Sequence, residues 1–214
     1  MIHAYDKVYL DKARTALGRM LDFAVYDLHY DIADFFALFI RSGVAGRFES
    51  GDFTILVGMS GVELAYKVLE ESGISCQRIK PQYSLNRSEE YWTGWALAYY
   101  QWETAMSFAE IVRYVPIREI RALYSPYHEM DIRQYVDKMH ELIRVAKPET
   151  NLKHLRQKAG LSQRELADLS GVPLRTIQQY EQRQKSINKA QAEYLVMLSK
   201  TLRCAVDDLM EKCE

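Results

Sequence analysis

An all-α protein in two parts is what three observations in the sequence predict. Apolar residues recur at helical spacing over most of the chain, and signals of the form Ser-x-x-Glu open several of those runs. Only Phe53-Thr-Ile-Leu-Val57 has the composition of a strand. At 214 residues there is room for two domains, and a hydrophobic content of 48% suffices for real cores without disulfides. The clearest boundary is Arg144-Val-Ala-Lys-Pro148-Glu-Thr-Asn151. Pro148 disfavours helix at Lys147, and Thr150 or Asn151 can cap the helix that follows. The expected division is 1–147 and 148–214, joined by a short, fairly stiff junction.

The N-terminal elements follow in order. From Tyr5 to about Tyr30, Val8, Leu10, Ala13, Leu17, Leu21, Ala24, Val25 and Leu28 keep a helical period. Asp31 opens a second helix through Phe35, Phe36, Leu38, Phe39 and Ile40, which stops near Ser42-Gly43. After the strand-like run comes Gly58-Met-Ser-Gly61, with Ser60 placed to cap Val62 to Glu71. Strand, glycine turn and helix invite a phosphate-loop reading. The turn lacks the lysine and the glycine spacing such loops need, and no sibling β-α-β units exist, so an N-cap is the better account. Ser107-Phe-Ala-Glu110 is a second capping box. Pro116 starts a short helix to about Tyr124, and Glu129 to Val145 is the last N-terminal helix.

Glu89 to Met106 holds all three tryptophans, and Trp92, Trp95, Tyr99 and Trp102 step by three, four and three along one helix face. Such a stripe is either core, burying a large area, or a surface for a partner or a second copy of the chain.

Conventional catalytic and metal chemistry is not legible. Cys76, Cys204 and Cys213 are odd in number and widely spaced, which disfavours structural disulfides and zinc knuckles and fits a reducing cytoplasm. The five histidines form no ligand spacing, and His128, in Tyr124-Ser-Pro-Tyr-His-Glu129, reads as a structural hydrogen-bonder. Asp22, Asp27, Asp31 and Asp34 scatter around a helix and its turn, a pattern of solubility rather than acid–base work. No catalytic residue, metal site or cofactor is expected. No apolar run is long enough to cross a bilayer, and the first residues lack a signal-peptide core.

The densest information lies between Asn151 and Met210. Ser162 and Glu165 form a capping box, followed by an apolar face of Leu166, Ala167 and Leu169. Gly171 ends that helix, Val172 plugs the corner, and Pro173 suits the start of the next. There Ile177 and Tyr180 point inward, leaving Leu174, Arg175, Gln178, Gln179 and Gln182 outward. Two short helices about a tight turn, the second with a polar, basic outer face, suit insertion into a DNA major groove. Between Asn151 and Val206 ten basic residues face four acidic ones, a net +6, while the whole chain sums to −1. The positive charge therefore sits where phosphate would be met.

The run Leu161-Ser-Gln-Arg-Glu-Leu-Ala167, Gly171-Val172, Ile177, Tyr180-Glu181 and the closing Leu198-Ser-Lys-Thr-Leu202 and Asp207-Asp-Leu209 resemble the phage-repressor (XRE/Cro) class of helix-turn-helix domain. The likeness covers about a quarter to a third of the chain and implies a five-helix, repressor-like DNA-binding domain over 148–214. It implies an ion pair between Arg156 and Glu181. Backbone phosphate contacts are implied for Gln163, Arg164, Thr176, Arg183 and Lys185, and base reading for Leu174, Arg175, Gln178 and Gln179. Where the family often has Glu-Asn-Gly after its recognition helix, this chain reads Glu181-Gln-Arg183, and the segment through Ala190 is longer. That puts the loop's phosphate contacts in doubt. The run Tyr91-Trp-Thr-Gly-Trp-Ala-Leu-Ala-Tyr-Tyr-Gln-Trp102 is similar to bacterial helical domains fused to such DNA-binding domains, a group that sits beside ADP-ribosyltransferase-like toxin genes. That likeness implies an antitoxin-type regulator.

The expected function is a sequence-specific transcriptional regulator, a cytoplasmic repressor binding double-stranded DNA as a homodimer on a near-palindromic operator. Residues 1–147 would sense a signal or bind a partner. Two alternatives stand beside it. One is an antitoxin that neutralises a toxin-like protein through Trp92, Trp95, Tyr99 and Trp102 and autoregulates its operon. The other is a protein-interaction module with little DNA affinity.

Overall fold

A computed structural model describes residues 3–82 and 87–211. Every regular element among them is helical, and the chain divides into two compact units, Met1–Ala146 and Lys147–Glu214. The first holds α1 (Leu10–Tyr26), α2 (Ile32–Arg41), α3 (Val44–Glu49), α4 (Phe53–Leu56), α5 (Gly61–Glu71), α6 (Glu89–Thr104), α7 (Phe108–Tyr114), α8 (Ile117–Ala122), α9 (Tyr124–Tyr127) and α10 (Ile132–Ala146).

Helix α1 is the axis of this unit, flanked by α5 and α6. It approaches α6 closely because each helix offers a glycine at the crossing. A Cβ on Gly94 would lie 2.5 Å from the Leu17 carbonyl oxygen, and one on Gly18 2.7 Å from that of Tyr91. Gly61 does the same for α5, its absent Cβ 2.6 Å from the Ala16 carbonyl oxygen. These contacts are to backbone, so no rotamer change relieves them. On the other side Phe36, Phe39, Phe48 and Phe108 interlock with ring centroids 5.5–6.2 Å apart in edge-on and tilted geometry.

Local signals set most boundaries. Asp31 accepts hydrogen bonds from Ala33 N and Asp34 N at the start of α2, and Ser60 and Glu63 complete a reciprocal capping box on α5. The strand-like run at Phe53 is a correction: it forms α4, a single turn. Asp52 caps it through Thr54 N at 2.9 Å, while Ile55 and Leu56 bury one side. A lone β-rich segment with no partner strand leaves its ladder groups unpaired, and one capped helical turn satisfies them internally.

Two of the aspartates expected to be solvated are staples instead. Asp27 is buried and accepts from Gln82 N at 2.7 Å, and Asp22 accepts from the Ser88 hydroxyl at 2.6 Å. Arg19 pairs with Asp22 and donates to the Gln82 carbonyl at 2.7 Å. Together they pin Gln82 and Ser88 onto α1. His128 Nδ1 lies 3.0 Å from the Tyr124 carbonyl oxygen with its ring stacked on Tyr124, a structural position. No helix among the described residues is long and apolar enough to cross a membrane.

The aromatic stripe is core, and the docking reading of it is corrected. Trp92, Tyr99 and Trp102 are buried, and Trp102 Nε1 donates to the Tyr5 carbonyl at 2.8 Å. Helix α6 is enclosed almost all round, so the three-and-four spacing that suggests one exposed face has neighbours on every side. Trp95 alone is partly exposed, and the Arg14 guanidinium lies 3.3 Å from its ring centroid.

Candidate nucleic-acid interface

The second unit carries α11 (Asn151–Lys158), α12 (Gln163–Ser170), α13 (Leu174–Glu181), a 3-10 turn (Ile187–Lys189), α14 (Ala192–Leu202) and α15 (Val206–Leu209). Leu152, Leu166, Val172, Ile177, Ile187, Leu198 and Leu209 lie at the centre of its core, with Tyr180 at the edge. Thr150 caps α11 through Lys153 N. On α12, Ser162 Oγ accepts from Glu165 N at 3.1 Å, and the Glu165 carboxylate accepts from Ser162 N at 2.7 Å. The Ser162 backbone N–H, and after it the Ser162 side chain, hold the Glu165 carboxyl below the usual range. Gly171 turns the chain with φ +76°, and α13 begins just beyond Pro173.

One inward residue differs from expectation. Leu169 is 65% exposed, and Ser170 is buried in its place. The Ser170 hydroxyl accepts from Val172 N at 3.2 Å, satisfying a backbone donor at the turn that a leucine would leave unmet.

The hub is a buried ionic cluster between α11, α12 and α13. Arg156 Nε and Nη2 reach the two oxygens of Glu181 at 2.6 and 2.9 Å, a bidentate pair with side chains only 10% and 2% exposed. Arg156 Nη1 donates to the Leu161 carbonyl at 2.7 Å, and the paired carboxylate pushes the guanidinium pKa up. Gln163 Nε2 adds a third donor to Glu181 at 2.7 Å. The Gln163 amide, expected to hold phosphate, thus gives one of its two N–H groups to the cluster, and its side chain stays partly exposed.

Arg183 too is engaged within the domain. It occupies φ +56°, the left-handed position that a glycine would take in Glu-Asn-Gly. For a residue with a Cβ that costs about 1–2 kcal/mol. Two side-chain bonds offset the cost: Nη1 to the Pro148 carbonyl at 2.7 Å and Nη2 to Glu211 at 3.2 Å. Glu211 in turn accepts from Asn151 N at 2.9 Å and exchanges backbone bonds with the Asn188 side chain. The lengthened loop is thus clasped to both ends of the domain, with Arg183 as its anchor. Arg183→Ala keeps the strain and loses the clasp, whereas Arg183→Gly loses the clasp but relieves the strain. Calorimetry of the full chain should therefore find the alanine variant less stable than the glycine variant by about 1 kcal/mol. Equal melting of the two would show that the left-handed backbone carries no cost here.

The outer face of α13 carries Arg175, exposed, with Gln178 and Gln179 half-exposed along the helix. Leu174, expected to point outward, is half-buried and packs on the core, so it offers only an edge. Thr176 is half-exposed at the start of the helix, and Arg164 and Lys185 are exposed on either side of it in sequence. No acidic side chain among the described residues pairs with Arg164, Arg175 or Lys185. No three His, Cys, Asp or Glu side chains among the described residues gather to hold a metal.

Residues 152–209 match the helix-turn-helix family model. No curated protein and no solved structure gives a match to the chain, and the likeness of the N-terminal unit to antitoxin-type regulators finds no support. The C-terminal domain is an XRE-type helix-turn-helix domain, and the protein that carries it is a DNA-binding regulator.

Proposed function

We propose that the chain is a sequence-specific repressor that acts as a dimer on a near-palindromic operator, with its N-terminal unit as the sensing part. The observation that carries this reading is the exposed Arg175 with Gln179 one turn on, flanked by cations that have no acidic partner among the described residues. Arginine is suited to guanine and glutamine to adenine in the major groove. Arg175, Gln178 and Gln179, with the edge of Leu174, read bases in this account, and Arg164, Thr176 and Lys185 meet phosphate. A dimer sets two α13 helices about 34 Å apart on one face of the duplex.

The test separates the two kinds of contact. Genome-wide footprinting supplies the operator, and binding is then measured on operator and random duplex across a salt series. Arg175→Ala and Gln179→Ala should each lose about 1–3 kcal/mol on the operator alone. Lys185→Ala should weaken both duplexes alike and lower the salt slope by about one. Equal losses on the two duplexes for Arg175→Ala would remove it from base reading.

A further inference from the structure

A cleft of about 390 Å³ opens in the N-terminal unit where the end of α1 and the start of α2 meet the first turn of α6 and helix α8. Its charged lining is two carboxylates, Asp31 and Glu90, and two guanidiniums, Arg118 and Arg121. Val25, Tyr30 and Ile32 give it an apolar wall. Glu90 is only 3% exposed. Arg121 Nε holds its Oε1 at 2.6 Å, but its Oε2 has no hydrogen-bond partner among the described residues. Burial first, and hydrogen bonding with the Glu90 carboxyl second, raise the pKa of the Tyr26 phenol, so Tyr26 is the donor a ligand must displace there. Arg118 sits at the mouth with its side chain 67% exposed, one nitrogen on Asp31 at 2.8 Å.

A buried carboxylate oxygen without a donor costs free energy that a bound N–H group would recover. The terminal torsion of a glutamate is soft, so a modest turn brings that oxygen toward the cleft. The four lining charges sum to zero and already pair, Asp31 with Arg118 and Glu90 with Arg121, which also holds Glu89 at 2.9 Å. A ligand that is neutral overall but carries both signs can exchange into those pairs without changing the net charge. The volume lies at the small end of ligand sites. We propose that this cleft binds a free α-amino acid. Its ammonium meets Glu90 and Asp31, its carboxylate meets Arg118 and Arg121, and its side chain lies against Val25 and Ile32. The inference stands apart from the DNA-binding reading, and its test has no DNA in it.

Titration calorimetry of the full chain with each protein amino acid in turn should give saturable heat for at least one. Leucine, isopentylamine and 4-methylpentanoate form a matched set that separates the zwitterion from either charge alone. The same amine and acid pair is then made for whichever amino acid binds. Either singly charged control should bind at least about tenfold more weakly, the loss of one charge-assisted hydrogen bond or more. Glu90→Gln and Arg118→Ala should each weaken binding by a similar factor. Arg118 is exposed enough that its alanine variant should melt like the parent, so a loss there reports on the site and not on folding. The proposal is overturned if no amino acid binds saturably, if a singly charged control binds as well as its amino acid, or if binding survives both substitutions.

Discussion

Glu181→Ala should destabilise the C-terminal domain by about 3–5 kcal/mol, enough to unfold a small helical unit at ordinary temperatures. Glu181 is the sole carboxylate of a cluster that also holds Arg156 and the Gln163 amide. Removing it leaves a guanidinium 10% exposed with one remaining hydrogen bond, to the Leu161 carbonyl. A buried charge stripped of its counter-ion costs far more than the pair itself contributes, so the effect exceeds that of any exposed ion pair here. Removing both partners and refilling the space with apolar side chains should restore much of the loss, because the desolvated charge then disappears. Hydrogen exchange on the full chain resolves the answer by region: amides of α11 to α13 should lose protection in Glu181→Ala while those of α1 and α6 keep theirs. Unchanged protection in α11 to α13 would show that the cluster does not hold the domain together.

The legible parts of this protein are those in which a few neighbouring residues decide the outcome. Ser162 with Glu165, Ser60 with Glu63, and Gly171 state their roles within four residues of sequence, because a cap or a left-handed turn is a local event. The helix-turn-helix follows from such signals. What the sequence hid depends on distant partners. Asp22 and Asp27 look like solvated charges until the segment around Gln82 and Ser88 folds back onto them, more than fifty residues later. Glu211 closes on Asn151 from sixty residues away, and only that clasp explains an arginine at a left-handed position. Gln163 reaches Glu181 because α12 and α13 bring the amide to a carboxylate already holding Arg156. Composition misled at Phe53, where strand-like residues met no second strand, and at α6 it left core and docking surface open, which the burial of that helix on nearly every side decides for core.

The α6 stripe yields the other large effect. Trp92→Ala should cost the N-terminal unit about 3–5 kcal/mol, the range for emptying a large aromatic site in a packed core. Trp92 is 8% exposed, and its ring meets Tyr135 at 5.3 Å and Tyr124 at 5.7 Å edge-on, with Tyr135 fully buried. Trp95→Ala is the control on the same helix. That ring is partly exposed and carries on its face the guanidinium of Arg14, whose pKa burial lowers to about 10. Losing the ring forfeits a cation–π contact of about 0.5–2 kcal/mol but also returns Arg14 to water, which recovers part of its desolvation cost. Far-UV circular dichroism melts should thus place Trp92→Ala well below Trp95→Ala, with Trp95→Ala close to the parent. A Trp92→Ala chain that melts like the parent but fails to associate would restore the stripe to a surface. Equal destabilisation by both would mean that Arg14 and Trp95 are as deeply part of the core as Trp92.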